Sequence, residues 1–144
     1  QFELVEAVLD LDESGKPTLE SIPPKIAELK AKNVDFIYVG SSSFLMANRD
    51  QFTSAALEMG MPVAAAYEAM AAKSNALLAV ASRYYNVGKL AGYQAEQILV
   101  EKISPGDIPI RSLSRFSYVI NMKTAKRLKL FPPLSVLRYA EVIE

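Results

Sequence analysis

Histidine and cysteine are both missing from the 144 residues. Their absence removes the commonest metal ligands, thiol nucleophiles, and any serine or cysteine triad that relies on an imidazole. Carboxylate-only or lysine-based catalysis stays open, but an enzyme becomes a much poorer expectation. Net charge is missing too, because sixteen basic residues balance sixteen acidic ones. No global field therefore steers the chain toward nucleic acid or a membrane surface. No apolar run reaches the roughly 18 residues that a spanning helix needs. No glycine-rich phosphate loop occurs, since Gly40-Ser41-Ser42-Ser43-Phe44-Leu45 lacks both the spacing and the lysine. There is no internal repeat and no low-complexity segment, and nothing calls for a metal or cofactor. A lack of cysteine says little about compartment.

What is present describes a folded domain. Hydrophobic residues make up 51% and charged residues 22%, which fits a single unit over 1–144 with a core of its own. The chain opens Gln1-Phe2-Glu3, without an initiator methionine or signal segment. It is expected to be a processed or excised piece, with any targeting segment outside it.

Strand and helix signals alternate. Phe2 to Leu11 predicts a strand, and Asp12 to Pro17 a polar loop. A helix follows, with Ser21 as cap, Pro23 and Pro24 in its first turn, and Asn33 as its stop. Asp35 to Val39 predicts a strand covered on both faces. Phe44 to Met59 predicts a helix stopped by Gly60, and Pro62 to Ala66 and Ala76 to Ala81 two more strands. Tyr67 to Asn75 is a connection with room for a helical turn. Val87, Leu90, Ala91, Ala95, Ile98 and Leu99 fall on one helical stripe, ended by Ser104-Pro105-Gly106-Asp107. Ser117 to Asn121 is a fifth strand, Lys123 to Leu130 a short basic helix, and Pro132-Pro133 opens a last helix running to Ile143. The basic helix reads as a solvated face rather than a nucleic-acid patch, because no aromatic or glycine-rich loop accompanies it. This alternation predicts an α/β fold: a mostly parallel sheet with helices on both faces.

In such a sheet, ligands gather beyond the carboxyl ends of the strands. Those positions are Asp10 to Ser14, Gly40 to Phe44, Tyr67 to Met70, and Ser82 to Tyr85. The candidate ligand-binding residues are therefore Ser41, Ser42, Ser43, Phe44, Tyr67, Glu68, Arg83, Tyr84 and Tyr85. Rings for stacking beside hydroxyls, a carboxylate and a guanidinium suit a small amphipathic ligand. Each has a plainer alternative. The serines precede a helix and can cap it; the tyrosines can pack at the core's edge; Arg83 can pair with Glu68 or Asp10. Glu68 as a general base lacks any partner motif.

The ordered series "DFIYVGSSS", "MPVAAAYEAM", "ALLAVASRYYNVGKLAGYQAEQIL", "GDIPI" and "FSYVINMKTAKRLKLFPP" resembles the second half of a solute-binding family. This is the ABC transporter substrate-binding family of tryptophan/tyrosine type, related in fold to type I periplasmic binding proteins. Tyr84-Tyr85 followed by Gly88, the helix ending in "QIL", the Ile108-Pro109 turn, and "VINMKTAKRLKL" before Pro132-Pro133 carry the likeness over about residues 2–138. The resemblance implies one lobe of a two-lobed, periplasmic or otherwise extracytoplasmic receptor. Such a receptor closes on a small-molecule ligand and delivers it to an ABC transporter permease. The N-terminal lobe would be absent from this chain, and the exposed interlobe surface would favour a homo-oligomer. Arg83 and Ser42 stand where the family pattern leads us to expect acidic residues, which shifts the expected ligand from an amino acid toward an organic or aromatic acid. Gly88 would let the helix after Tyr85 approach closely. A ligand-sensing domain of the same fold in a regulator or receptor is the alternative reading.

Overall fold

Two prolines open the first helix. In the computed structural model, which describes residues 3–113 and 115–144, α1 (Ile22–Ala31) carries Pro23 and Pro24 in its first turn, where a backbone N–H has no helical partner to lose. Asn33 ends it at φ 56°, a conformation asparagine tolerates. Ser21 does not cap; its hydroxyl donates to the Thr18 carbonyl at 2.8 Å. Ile22, Ile26 and Leu29 recur every three or four residues and are buried.

The remaining elements are β1 (Ile37–Val39), α2 (Ser43–Ala47), α3 (Arg49–Glu58), β2 (Val63–Ala65), α4 (Glu68–Ala72), β3 (Leu78–Ala81), α5 (Tyr84–Leu99), a single 3-10 turn (Pro105–Asp107), β4 (Ser117–Asn121), α6 (Met122–Leu128), α7 (Leu134–Leu137) and β5 (Glu141–Ile143). The strands lie in chain order, β1-β2-β3-β4-β5. Every pairing is parallel except β3 with β4, which places Ala81 opposite Ser117. The α/β class and the mostly parallel sheet are those the sequence predicts.

The core lies on one side of the sheet. Ile37, Val39, Val63, Ala65, Ala79 and Val119 point to it and meet Ile22 and Ile26 of α1, Phe52 and Ala56 of α3, and Met70 and Ala71 of α4. The alternate residues turn away: Tyr38, Val80 and Tyr118 are exposed. Among the described residues, this second face is roofed by the 130–136 segment, which carries part of α7. The helical cover is thus thick on one side and thin on the other.

Several expectations are corrected. Phe2 lies outside the described residues, and 3–10 form no strand; Leu11 makes only an isolated bridge with Pro17. The alternating pattern there needs a neighbouring strand, and none is offered among the described residues. Asp12 instead organises the turn, accepting from the Lys16 and Ser14 amides and the Ser14 hydroxyl. Those donors, Lys16 foremost, hold its carboxyl below the usual carboxylate range. The expected helix 44–59 breaks at Asn48, whose side-chain amide donates back to the Phe44 carbonyl at 2.9 Å, a local bond that competes with the helical ladder. The last helix stops at Leu137, and Glu141–Ile143 pairs with β4. An open strand edge beside the β-branched Val142 and Ile143 outweighs continuation of a helix.

A buried polar knot ties the far end of the sheet. Asn121 donates from Nδ2 to the carbonyls of Ala71 and Ser74 and accepts the Thr124 amide on Oδ1. Thr53, wholly buried, bridges the Arg49 carbonyl, the Ser74 hydroxyl and the Asn75 amide.

Candidate ligand site at the carboxyl edge of the sheet

Because β1, β2 and β3 are parallel, their carboxyl ends share one edge, and the segments 40–43, 66–67 and 82–83 leave from it. β4 runs the other way and β5 follows β4, so Glu141, opposite Val119, enters at that same edge. Arg83 is the junction. Its Nε donates to Glu68 at 3.2 Å, and its Nη2 pairs with Glu141. Glu68 opens α4 and Arg83 precedes α5, so one guanidinium links two helix starts to the last strand.

These side chains are between a third and a half exposed. Ion pairs in such settings contribute little stability, about 0–1 kcal/mol each. Their value is geometric, since a planar fork held on two sides has a fixed direction. One guanidinium against two carboxylates leaves the trio one negative charge in excess. Two of the five guanidinium N–H groups are used, so the remaining donors stay available.

Tyr84 and Tyr85 are 78% and 75% exposed, so the edge-of-core alternative does not apply to them. Lys89 Nζ lies 5.9 Å from the Tyr85 ring centroid, within cation–π range. Ser42 caps α2, accepting the Leu45 amide at 3.2 Å; Ser41 and Ser43 are exposed beside it. Phe44 and Tyr67 are half-buried and packed against the core. Asp10 pairs with Lys25 at 3.0 Å rather than with Arg83. Gly88 receives no close neighbour: a Cβ built there would meet nothing within 4 Å, and no residue of α5 is buried. The structure thus joins Glu68 and Arg83, next to Tyr84 and Tyr85, and adds Glu141. Sequence reasoning missed Glu141 by assigning it to a helix. The β-branched pair behind it was the available signal.

The polar and aromatic cluster thus stands at the carboxyl edge of an α/β sheet, the edge at which folds of this class gather their ligands. Residues 9–143 match the family described as ABC transporter substrate binding protein, and the chain belongs to that family. It is 30% identical over 116 residues to a tyrosine-binding protein of Clostridioides difficile (strain R20291), a match covering 81% of this chain and 33% of that protein. Two solved structures share the fold. One, an ABC domain in complex with L-Trp from Streptococcus pneumonia, aligns with TM-score 0.71 and 24% identity over 92% of this chain and 47% of that one. The other is a ligand-free, open substrate binding protein with adhesive properties from Clostridium difficile. It aligns with TM-score 0.70 and 23% identity over 89% of this chain and 42% of that one. The chain therefore spans one third to one half of the length of these relatives. Among the described residues, no helix is long and apolar enough to cross a membrane.

Proposed function

We propose that this chain is the C-terminal lobe of an extracytoplasmic solute receptor. The receptor captures an aromatic amino acid between two lobes and presents it to an ABC permease without chemical turnover. The observation that carries the ligand class is the Glu68–Arg83–Glu141 cluster beside two exposed tyrosines. Arg83 standing where an acid is expected argued for an anionic ligand; Glu68 and Glu141 close around it restore the missing negative charge. The excess carboxylate suits an ammonium group, the free guanidinium edge a carboxylate, and Tyr84 or Tyr85 an aromatic side chain. Relatives that bind tyrosine and L-Trp support the same class. Ser41, Ser43 and the rim of Phe44 and Tyr67 would line the mouth, while Ser42 acts as a helix cap. Capture would proceed by hinge closure, with the second lobe supplying the rest of the contacts.

Calorimetry on the full-length receptor tests this with three ligand sets: tyrosine, tryptophan and phenylalanine; aryl acids lacking the ammonium; and aryl amines lacking the carboxylate. The amino acids should bind, and each truncated set should lose at least roughly 30-fold, as expected when a buried charged group is left unpaired. Aryl acids binding as tightly as the amino acids would remove the ammonium role. Tight binding of a non-aromatic solute alone would remove the tyrosine platform.

A further inference from the structure

Three strands end at the ligand edge of the sheet and two begin there. β4 runs against β3, so the residues before Ser117 stand at the edge where β3 finishes. Ser117 lies opposite Ala81, and Arg83, two residues further on, keeps an extended backbone at φ −68° and ψ 124°. Arg115 precedes Ser117 by the same two residues. It is exposed, and among the described residues it forms no ion pair. Its own stretch of chain offers no partner, because residues 108–140 contain seven cationic side chains and no carboxylate. A rule that looks only beyond the carboxyl ends of strands passes over this position, since an antiparallel strand presents its amino end there.

Taking this edge as the amino-acid site proposed above, we infer that Arg115 is carried opposite Arg83 and that the two guanidiniums hold the ligand's carboxylate between them. Like charges set opposite one another on neighbouring strands repel, and an anion seated between them relieves the repulsion. The two nearby carboxylates are already engaged: Glu68 accepts from Arg83 Nε, and Glu141 from its Nη2. An incoming carboxylate has two oxygens with about four acceptor positions, enough for the unused donors of Arg83 and a fork from Arg115. The charges also close. Glu68, Arg83 and Glu141 together carry one negative charge in excess, and Arg115 cancels it. A neutral site then receives a zwitterion of zero net charge, so lobe closure takes no unpaired charge out of water.

Calorimetry on the full-length receptor compares tyrosine with tyramine, which keeps the ring and the ammonium but lacks the carboxylate. Arg115→Gln should weaken tyrosine binding by at least roughly 30-fold and change tyramine binding by less than about 2-fold, because only the carboxylate loses its partner. Arg115→Lys should recover part of the loss, since an ammonium is a point charge without the planar fork. Lys126→Gln removes an exposed cation from α6, at the opposite edge of the sheet, and should leave both affinities unchanged. A second measurement needs no ligand. The 144-residue chain has no cysteine, so oxidised Ser82→Cys/Phe116→Cys should close a disulfide within one chain, as neighbours in an antiparallel register can. A pair that stays reduced would mean that Arg115 does not reach Arg83, and the inference falls. Parental tyrosine affinity in Arg115→Gln also overturns it, as does an equal loss with tyramine or with Lys126→Gln, while the amino-acid site itself stands. A parent receptor that binds no aromatic amino acid removes both readings together.

Discussion

Replacing Asn121 with alanine is expected to lower the stability of the lobe by about 2–4 kcal/mol, read as a shift of the urea midpoint at unchanged slope. The side chain is buried and makes three bonds, to the Ala71 and Ser74 carbonyls and from the Thr124 amide. Alanine strands all three groups and removes the cap of α6, which alone contributes about 1 kcal/mol. Asn121→Asp is the informative control. It keeps the cap acceptor but sets an anion against two carbonyls, so it should be no better than alanine at neutral pH. An alanine variant within about 0.5 kcal/mol of the parent, the range of an ordinary surface change, would mean that water serves these groups as well as the amide does.

Arg83→Ala in the full-length receptor is expected to weaken ligand binding by about 2–5 kcal/mol, provided lobe closure desolvates the guanidinium. The loss has two sources: the donors to the ligand carboxylate go, and Glu68 and Glu141 are left facing each other without their shared partner. Arg83→Lys should recover part of the loss, because an ammonium cannot span two carboxylates in one plane. Glu141→Gln separates the two sources, since it frees Arg83 on one side while leaving its charge in place. It should weaken binding less than Arg83→Ala does. Normal affinity in Arg83→Ala would reduce the cluster to a surface ion pair with no part in recognition.

Much of the sheet was legible in the residues. Short apolar runs flanked by turn residues marked β1 to β4. Asn33 and Gly60, both left-handed at φ 56° and 70°, stopped their helices where the sequence placed the stops. What periodicity alone could not show was partnership. Residues 3–10 carry a strand's alternation yet form no ladder. Leu134, Leu137, Ala140 and Ile143 carry a helix's spacing, yet the first two lie in one helical turn, Ala140 in the bend after it and Ile143 in a strand. Each outcome depends on which neighbour is within reach, and that is not written locally. The site follows the same rule. The possible pairing of Arg83 with Glu68, 15 residues away, was visible in the sequence; that with Glu141, 58 residues away, depends on β5 lying beside β4.

Strand order that follows chain order has a kinetic consequence. Each pairing closes a single intervening segment, 40–62, 66–77, 82–116 and 122–140 in turn. Closure entropy rises with the logarithm of loop length, so β2 and β3, joined by the shortest segment and packed on α4, are the least expensive pair to bring together. The sheet should therefore nucleate at β2–α4–β3 and grow outward, with the 82–116 closure as its slowest addition. Met70→Ala, in that nucleus, should then slow folding. Ile143→Ala, on the last strand, should chiefly hasten unfolding. Equal effects of the two on the folding arm of the chevron would place the nucleus elsewhere.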